Sequence, residues 1–289
     1  MQAILFALAG FFSFTLMDLS IKWLLQSYPL MQVTFFNCFF ALLGLLIWIY
    51  PRFELLKTKQ PQIHLLRASI VLVVDLLAFY SYGQVPLAEA YTLILTMPLF
   101  TALFALLFRY EPLRPLALAV TFIGFSGVYL MLSPQFGHFH WALVAALLSA
   151  VIESVGFLLI RRHREQETPQ AFAFYGLGLV TLVTGVVMMW SFKPMPLTDL
   201  GISIGGGACY ALATALVITA FHRGSPIMVS SMQYSQLVWG AVLSFIIWHE
   251  MPSQRVLIGS LLITLAGLAL LHSQKRAKSM SHTSQQPQH

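Results

Sequence analysis

Four acidic residues stand within long apolar stretches of the sequence: Asp18, Asp75, Glu89 and Glu153. An ionised carboxylate in hydrocarbon costs at least ~2.5 kcal/mol, and acids kept there commonly bind a proton or a cationic group. Asp18 and Glu153 each lie about 20 Å along a predicted helix, counted from opposite membrane faces at the usual helical rise. These acids are therefore the first candidates for substrate binding or ion coupling.

Each acid also has a purely structural interpretation. Asp18 is followed one turn later by Lys22, and an i,i+4 ion pair contributes only about 0.2 to 0.5 kcal/mol on an isolated helix. Glu153 has no basic neighbour on its own turn, and Asp75 stands mid-span without a local polar partner. Asp75 would suit either reversible protonation or one fixed hydrogen bond between helices. Glu89 would be a first-turn acid favoured by the helix dipole.

Two further apolar stretches carry many hydrogen-bonding side chains. The candidates in them are Tyr91 and Thr92 in the first stretch and Ser231, Gln233, Tyr234 and Trp239 in the second. Against lipid these groups would lack partners, so they are expected to face the bundle interior or water. We predict that both stretches line a cavity. The alternative is that the polar groups only join neighbouring helices.

Aromatic side chains offer another way to hold a cation. Tyr91, Tyr210, Tyr234 and Trp239 fall within predicted spans, and a cation over a ring face gains about 0.5 to 2 kcal/mol. Together with the acids they could form a cage for an organic cation; otherwise they belong to the core or the interfacial belt. No residue spacing typical of a metal site is present, so we expect no metal.

The composition excludes a soluble globular protein. Of 289 residues only 9% are charged and 58% are hydrophobic, whereas soluble domains carry about 25% charged residues. Apolar runs of helical length favour an all-α integral membrane protein over a barrel. We predict ten transmembrane helices, at about 3–23, 31–50, 66–85, 88–108, 115–132, 139–160, 171–191, 200–221, 226–247 and 254–272.

The basic residues indicate the orientation of these spans. With the N-terminus inside, 13 of the 16 Lys and Arg fall in cytoplasmic segments, as the positive-inside rule requires. Both termini are therefore predicted to be cytoplasmic. The net charge of +6 follows from this arrangement, so no nucleic-acid partner is expected. Cys38 and Cys209 lie in apolar segments and are expected to remain free thiols.

The sequence also contains an internal repeat. The stretch from Pro86 to Gly127 recurs from Pro226 to Gly267, and Ala7 to Asp18 aligns with Ala142 to Glu153. We predict two five-helix repeats, at residues 1–134 and 135–272, followed by a disordered cytoplasmic tail at 273–289. Because five is an odd number of spans, the second repeat would be inverted in the membrane. Inverted repeats are typical of transporters.

Ten spans in two halves, each with a Pro-led span and a Glu near its end (Glu111, Glu250), resemble the EamA branch of the drug/metabolite transporter superfamily. The opening MDLSIKWL is similar to members that carry metabolites such as S-adenosylmethionine or riboflavin. Asn37 stands where that pattern usually has an Arg. The resemblance implies a basket of helices around a central cavity, secondary transport at the inner membrane and no bound cofactor.

The sequence thus favours a secondary transporter of a small polar or cationic metabolite, working by alternating access as a monomer or homodimer among membrane lipids. Protons are the expected coupling ion. An uncoupled facilitative exporter of amino acids or drugs is the alternative within the same architecture. A lipid flippase or membrane enzyme is more remote, because no nucleophile motif, paired His or phosphate-binding loop is present. We therefore expect no enzymatic activity.

Overall fold

The structure of the chain is a computed structural model. It describes residues 2–107, 122–124, 126–127, 129–130, 140–163, 165–223, 229, 232–252, 254, 257–266 and 268–269. Within these ranges the regular elements are all helical, and no strand is present. The fold class is therefore all-α, as the sequence predicts.

Among the residues that the structure describes, six helices are long and apolar enough to cross a membrane. They are α1 (Gln2–Leu25), α2 (Leu30–Ile49), α3 (Pro61–Gln84), α6 (Trp141–His163), α7 (Pro169–Met188) and α8 (Leu197–Arg223). Their bounds agree with the predicted spans except that α3 begins at Pro61, about one turn before the predicted start at residue 66. This extension places Arg67 inside the helix instead of at its edge.

Four shorter helices complete the described part of the bundle. They are α4 (Leu87–Ile94), α5 (Met97–Leu107), α9 (Ser235–Trp248) and α10 (Leu257–Ala266). The predicted span at 88–108 is interrupted between α4 and α5, just before Pro98, whose ring nitrogen has no proton to donate. Just after the end of α4, the hydroxyl of Thr96 donates a hydrogen bond to the Leu93 carbonyl at 2.6 Å.

Several predictions fall largely outside the described residues. Among them are most of the span at 115–132, the beginning of the span at 226–247, Glu111 and the tail at 273–289. A 3₁₀ helix at Phe53–Leu56 lies in the connector between α2 and α3.

The helices pack in pairs that exchange between the two halves of the chain. In the predicted repeat, α1, α2, α3 and α4 correspond to α6, α7, α8 and α9. Helix α1 packs along α8, and its counterpart α6 packs along α3. In the same way, α2 contacts α8 and its counterpart α7 contacts α3. Likewise α4 contacts α6 as α9 contacts α1. Such an exchange is what an internal two-fold axis would produce.

Two neighbouring glycines allow α8 to approach α1 and α2 closely. A Cβ on Gly206 would collide with the hydroxyl of Ser20, and one on Gly207 would collide with Phe40. By contrast, a Cβ on Gly205 would meet nothing within 4 Å. Close packing is therefore the role of Gly206 and Gly207, since only a residue without a side chain fits there.

Polar contacts join distant connectors and helix ends to one another at both ends of the bundle. At one end Gln32 exchanges two hydrogen bonds with the backbone of Lys193, at 2.6 and 2.8 Å, and the hydroxyl of Tyr28 donates to Asp199. At the other end Glu167 accepts from the Thr58 hydroxyl at 2.9 Å and lies 2.9 Å from Nε2 of His64. These contacts join connectors that are more than 100 residues apart in sequence.

Candidate substrate-binding site

Asp18 lies inside the bundle, on α1, and is only 3% exposed. The hydroxyl of Tyr91, on α4, donates a 2.6 Å hydrogen bond to its Oδ2. Oδ1 is buried and has no hydrogen-bond partner among the described residues. Because a buried acceptor without a partner is costly, this oxygen is available to a ligand donor or a proton.

Lys22 does not pair with Asp18, so the structural alternative of a local i,i+4 ion pair is wrong. Its ammonium group is bound by Glu250, at 2.8 Å to each carboxylate oxygen, and donates to the Val85 carbonyl at 3.0 Å. The ring of Trp248 lies 5.1 Å from the same nitrogen. This pair lies at one end of the bundle, near the C-terminal ends of α1, α3 and α9.

Glu153, on α6, has a basic partner on another helix. Arg67 of α3 donates to its two carboxylate oxygens at 2.6 and 3.0 Å. Gly156 leaves room for this guanidinium, because a Cβ there would lie 2.9 Å from Nη1 of Arg67. The expectation that Glu153 lacks a fixed basic partner is therefore wrong, since a partner on a different helix cannot be read from one helical turn.

Asp75, on α3, connects these two acids. It interacts electrostatically with Glu153 and Arg67 on one side and with Asp18 on the other, and Tyr210 of α8 is within hydrogen-bonding reach. Its Oδ2 is buried without a partner among the described residues. Asp75 therefore has a local polar neighbour that the sequence did not indicate, yet it keeps one free acceptor oxygen.

Tyrosines surround the acids. The rings of Tyr82 and Tyr91 meet edge to face, with centroids 5.8 Å apart and planes at 84°. Tyr210 packs in the same manner on Phe14, with centroids 5.8 Å apart. Edge-to-face contacts of this kind fix ring orientation while leaving hydroxyls free to bind polar groups.

The remaining candidates lie in different places. Glu89 belongs electrostatically to the group of Lys22, Glu250 and His140 rather than to the central acids. Thr92 is buried but donates to the carbonyl of its own helix at Ala88. These two residues are therefore not brought together with Asp18 and Asp75 by any hydrogen bond in the described part of the chain.

The polar and aromatic residues at the start of α9 differ in how deeply they are buried. Tyr234 is buried, and its hydroxyl has no partner among the described residues. Gln233 is partly exposed, and Trp239 is 38% exposed and packs edge to face on Phe12, 5.2 Å away. Trp239 therefore faces away from the acids. Ser231 lies outside the described residues.

The central cluster consists of Asp18, Asp75, Glu153, Arg67 and the three tyrosines Tyr82, Tyr91 and Tyr210. Its three acids outnumber its single guanidinium, so the site has an excess of acceptor groups suited to a cation. No group of three potential metal ligands occurs among the residues that the structure describes. Arg67 is the main residue that sequence reasoning missed, although a base seven residues into an apolar helix was the available signal.

The EamA-like transporter family model matches the chain twice, at residues 1–133 and 140–272. The chain belongs to the EamA-like transporter family. With its six membrane-length helices, it is a multi-pass membrane protein.

Named relatives of this chain are transporters. It is 26% identical over 250 residues to an S-adenosylmethionine uptake transporter of Rickettsia bellii, covering 86% of each chain. It is 26% identical to the pseudopaline exporter CntI of Pseudomonas aeruginosa, over 95% of this chain and 97% of that one. A riboflavin transporter of Rhizobium johnstonii is 24% identical over 95% and 92% of the two chains.

A solved crystal structure shares the fold. It superposes with a TM-score of 0.65 at 19% identity, over 95% of this chain and 98% of the other.

Proposed function

We propose that the chain is an inner-membrane secondary transporter that moves a small polar or cationic metabolite by alternating access, driven by protons. The observation that carries the proposal is the pair of buried acids, Asp18 and Asp75, each with one carboxylate oxygen lacking a partner. An acid that is buried and incompletely paired can exchange a proton for a cationic group during a transport cycle.

The proposed architecture is ten spans in two inverted five-helix repeats, at residues 1–134 and 135–272. The two separate family matches and the exchange of helix contacts between the halves support it. Both termini are proposed to be cytoplasmic, because 13 of 16 basic residues then lie inside. A C-terminal reporter that is active only in the periplasm would overturn this orientation.

The Lys22–Glu250 pair gives the proposed cycle a closed outer side. In the predicted orientation this pair lies at the periplasmic ends of α1 and α9, above the acid cluster. Opening toward the periplasm requires the pair to separate, whereas opening toward the cytoplasm does not. The protein is proposed to bind and release its substrate without chemical conversion, as a monomer or homodimer, in contact with membrane lipid and protons.

The relatives suggest which probe to try first. S-adenosylmethionine carries a sulfonium and an ammonium group, which fits a cluster with more acids than bases. Purified protein in liposomes should take up labelled S-adenosylmethionine when a pH gradient is imposed. Riboflavin, an uncharged probe of comparable size, provides the comparison for charge selectivity.

Neutral substitution separates the coupling role from the binding role. If Asp75 carries the coupling proton, Asp75→Asn should abolish gradient-driven uptake and leave exchange at equal pH measurable. If Asp75 instead contacts the cation, both activities fail. Glu54→Gln is the matched control, since Glu54 is an exposed acid in a connector. Full pH-dependent transport by Asp75→Asn, Asp18→Asn and Glu153→Gln would show that these acids are structural and that the coupling proton binds elsewhere. Wild-type uptake that does not respond to the pH gradient would favour an uncoupled facilitator.

A further inference from the structure

A glycine on α9 faces the ring of the tyrosine that binds Asp18. A Cβ placed on Gly240 would lie 2.5 Å from Cε2 and 2.6 Å from Cδ2 of Tyr91. Real Cβ atoms do not approach ring carbons that closely, so any side chain at this position would displace the ring. Gly240 is itself buried in the contact between α9 and α4.

The ring has little freedom to move elsewhere. Tyr91 is 2% exposed, and the ring of Tyr82 packs edge to face against it. Its hydroxyl donates to Asp18 Oδ2 at 2.6 Å while its ring carbons occupy the space that Gly240 leaves free. A displaced ring would therefore lose this hydrogen bond rather than find an equivalent position.

The hydrogen bond has a consequence for the other carboxylate oxygen. With Oδ2 held by Tyr91, the Asp18 carboxylate cannot rotate freely, and Oδ1 remains buried and unpartnered. A carboxylate fixed through one oxygen presents the other in a defined direction. This is the arrangement needed to accept a hydrogen bond from a charged donor in a fixed pose.

We propose that Gly240 is a positioning residue for the substrate site: it admits the Tyr91 ring, which holds Asp18 Oδ2 and leaves Oδ1 as the acceptor for a cationic N–H group of the substrate. The proposal rests on the proposed transport function, in which Asp18 contacts the substrate. Gly240 has no side chain, so its contribution to the site is the space that it leaves for the Tyr91 ring.

The first test needs no substrate. Dicyclohexylcarbodiimide modifies accessible carboxyl groups in membranes, and mass spectrometry can follow its addition to Asp18. Tyr91→Phe and Gly240→Ala should both label Asp18 faster than the wild type, because the reagent reacts with the protonated carboxyl and the hydrogen bond from Tyr91 stabilises the ionised one. The double variant should label no faster than Tyr91→Phe alone, since both changes remove one hydrogen bond. Gly205→Ala is the control, as its new methyl group meets nothing within 4 Å.

Folding of the glycine variant is controlled by removing the ring. If Gly240→Ala alone does not fold, adding Tyr91→Ala should restore folding, because the clash is then gone. The proposal is overturned if that double variant stays unfolded. It is also overturned if Gly240→Ala labels at the wild-type rate, or if its effect adds to that of Tyr91→Phe.

The second test uses S-adenosylmethionine as the cationic probe. A substrate hydrogen bond to Oδ1 is weakened when the carboxylate is no longer held in one orientation, and a hydrogen bond to a charged group corresponds to about tenfold or more in affinity. Gly240→Ala and Tyr91→Phe should each raise the KM for uptake by about this factor and leave turnover nearly unchanged, while Gly205→Ala should match the wild type. Turnover lost with KM unchanged would assign Gly240 to helix movement and overturn the positioning role. Absence of uptake by the wild type would count against the proposed function for this probe, whereas the labelling result would still decide the role of Gly240.

Discussion

Breaking the pair between Arg67 and Glu153 should destabilise the protein far more than removing both partners. The two charges are joined by two hydrogen bonds, at 2.6 and 3.0 Å, and their side chains are only 9% and 18% exposed. Removing one partner from a buried pair leaves an uncompensated charge, which costs about 3 to 5 kcal/mol. Arg67→Met and Glu153→Gln should each lie near this range.

The double variant provides the decisive comparison. Replacing a buried pair by neutral side chains of similar volume is often nearly neutral, so Arg67→Met with Glu153→Gln should recover most of the loss. The coupling free energy from the double-mutant cycle should therefore be at least about 2 kcal/mol. Reversible unfolding in mixed detergent micelles, followed by circular dichroism, measures all four proteins under one condition.

An exposed cation elsewhere provides the control. Arg223 lies at the end of α8, where it contacts Gln2 at 3.5 Å and the ring of Phe6 at 5.0 Å. Because exposed contacts of this kind contribute little, Arg223→Met should change stability by less than about 1 kcal/mol. If the Arg67 and Glu153 single variants add within about 0.5 kcal/mol, the two residues do not act as a pair and the reasoning fails.

Three further predictions concern packing, pH and the closed end. Gly206→Ala should cost about 1 to 3 kcal/mol in thermal unfolding because the methyl group overpacks the α1–α8 contact, and Gly205→Ala should cost nearly nothing. Burial opposes ionisation of Glu167, but its hydrogen-bond donors outweigh burial and hold its pKa below the usual 4.5. The ionised form of Glu167 therefore stabilises the fold above about pH 4.5, and this stabilisation is lost as the pH falls through the folded pKa. Glu167→Gln should be less stable than the wild type near neutral pH and should approach the wild type in acid. Lys22→Met should increase labelling of the outer end by membrane-impermeant reagents, and Glu250→Gln should do the same if the pair is the seal.

Each of these three has an outcome that would contradict it. Equal melting temperatures for the two glycine variants would show that α8 does not depend on close approach at Gly206. A stability difference for Glu167→Gln that persists unchanged at low pH would show that its charge is not the cause. Unchanged labelling in the Lys22 variant would place the seal elsewhere.

Six of the ten predicted spans match described helices of membrane length, because the signal for such helices is local. Apolar runs of about 20 residues must be helical in lipid, since each backbone group needs a partner within its own segment. The membrane helices α1, α2, α6, α7 and α8 follow from this rule alone. The start of α3 was predicted at residue 66, five residues too late, because Arg67 was taken as a cytoplasmic residue at the edge of the span. A charge can lie further inside a helix when a residue on another helix pairs with it.

The site was predicted only in part. The acidic candidates and their positions along their helices followed from the sequence, because helical rise converts residue number into distance along one span. Their partners did not. Lys22 is four residues from Asp18 but binds Glu250, which is 228 residues away, while Asp18 is bound by Tyr91, 73 residues away.

The sequence by itself determined the class of protein, the helical spans and the internal repeat, since these depend on composition, length and order along the chain. Only the tertiary structure decided which oxygen of Asp18 is held and which is free. The rotation of one helix against another depends on how side chains interlock over the whole contact. Gly240 is an example, because the space that it leaves is occupied by the ring of Tyr91 on the facing helix α4.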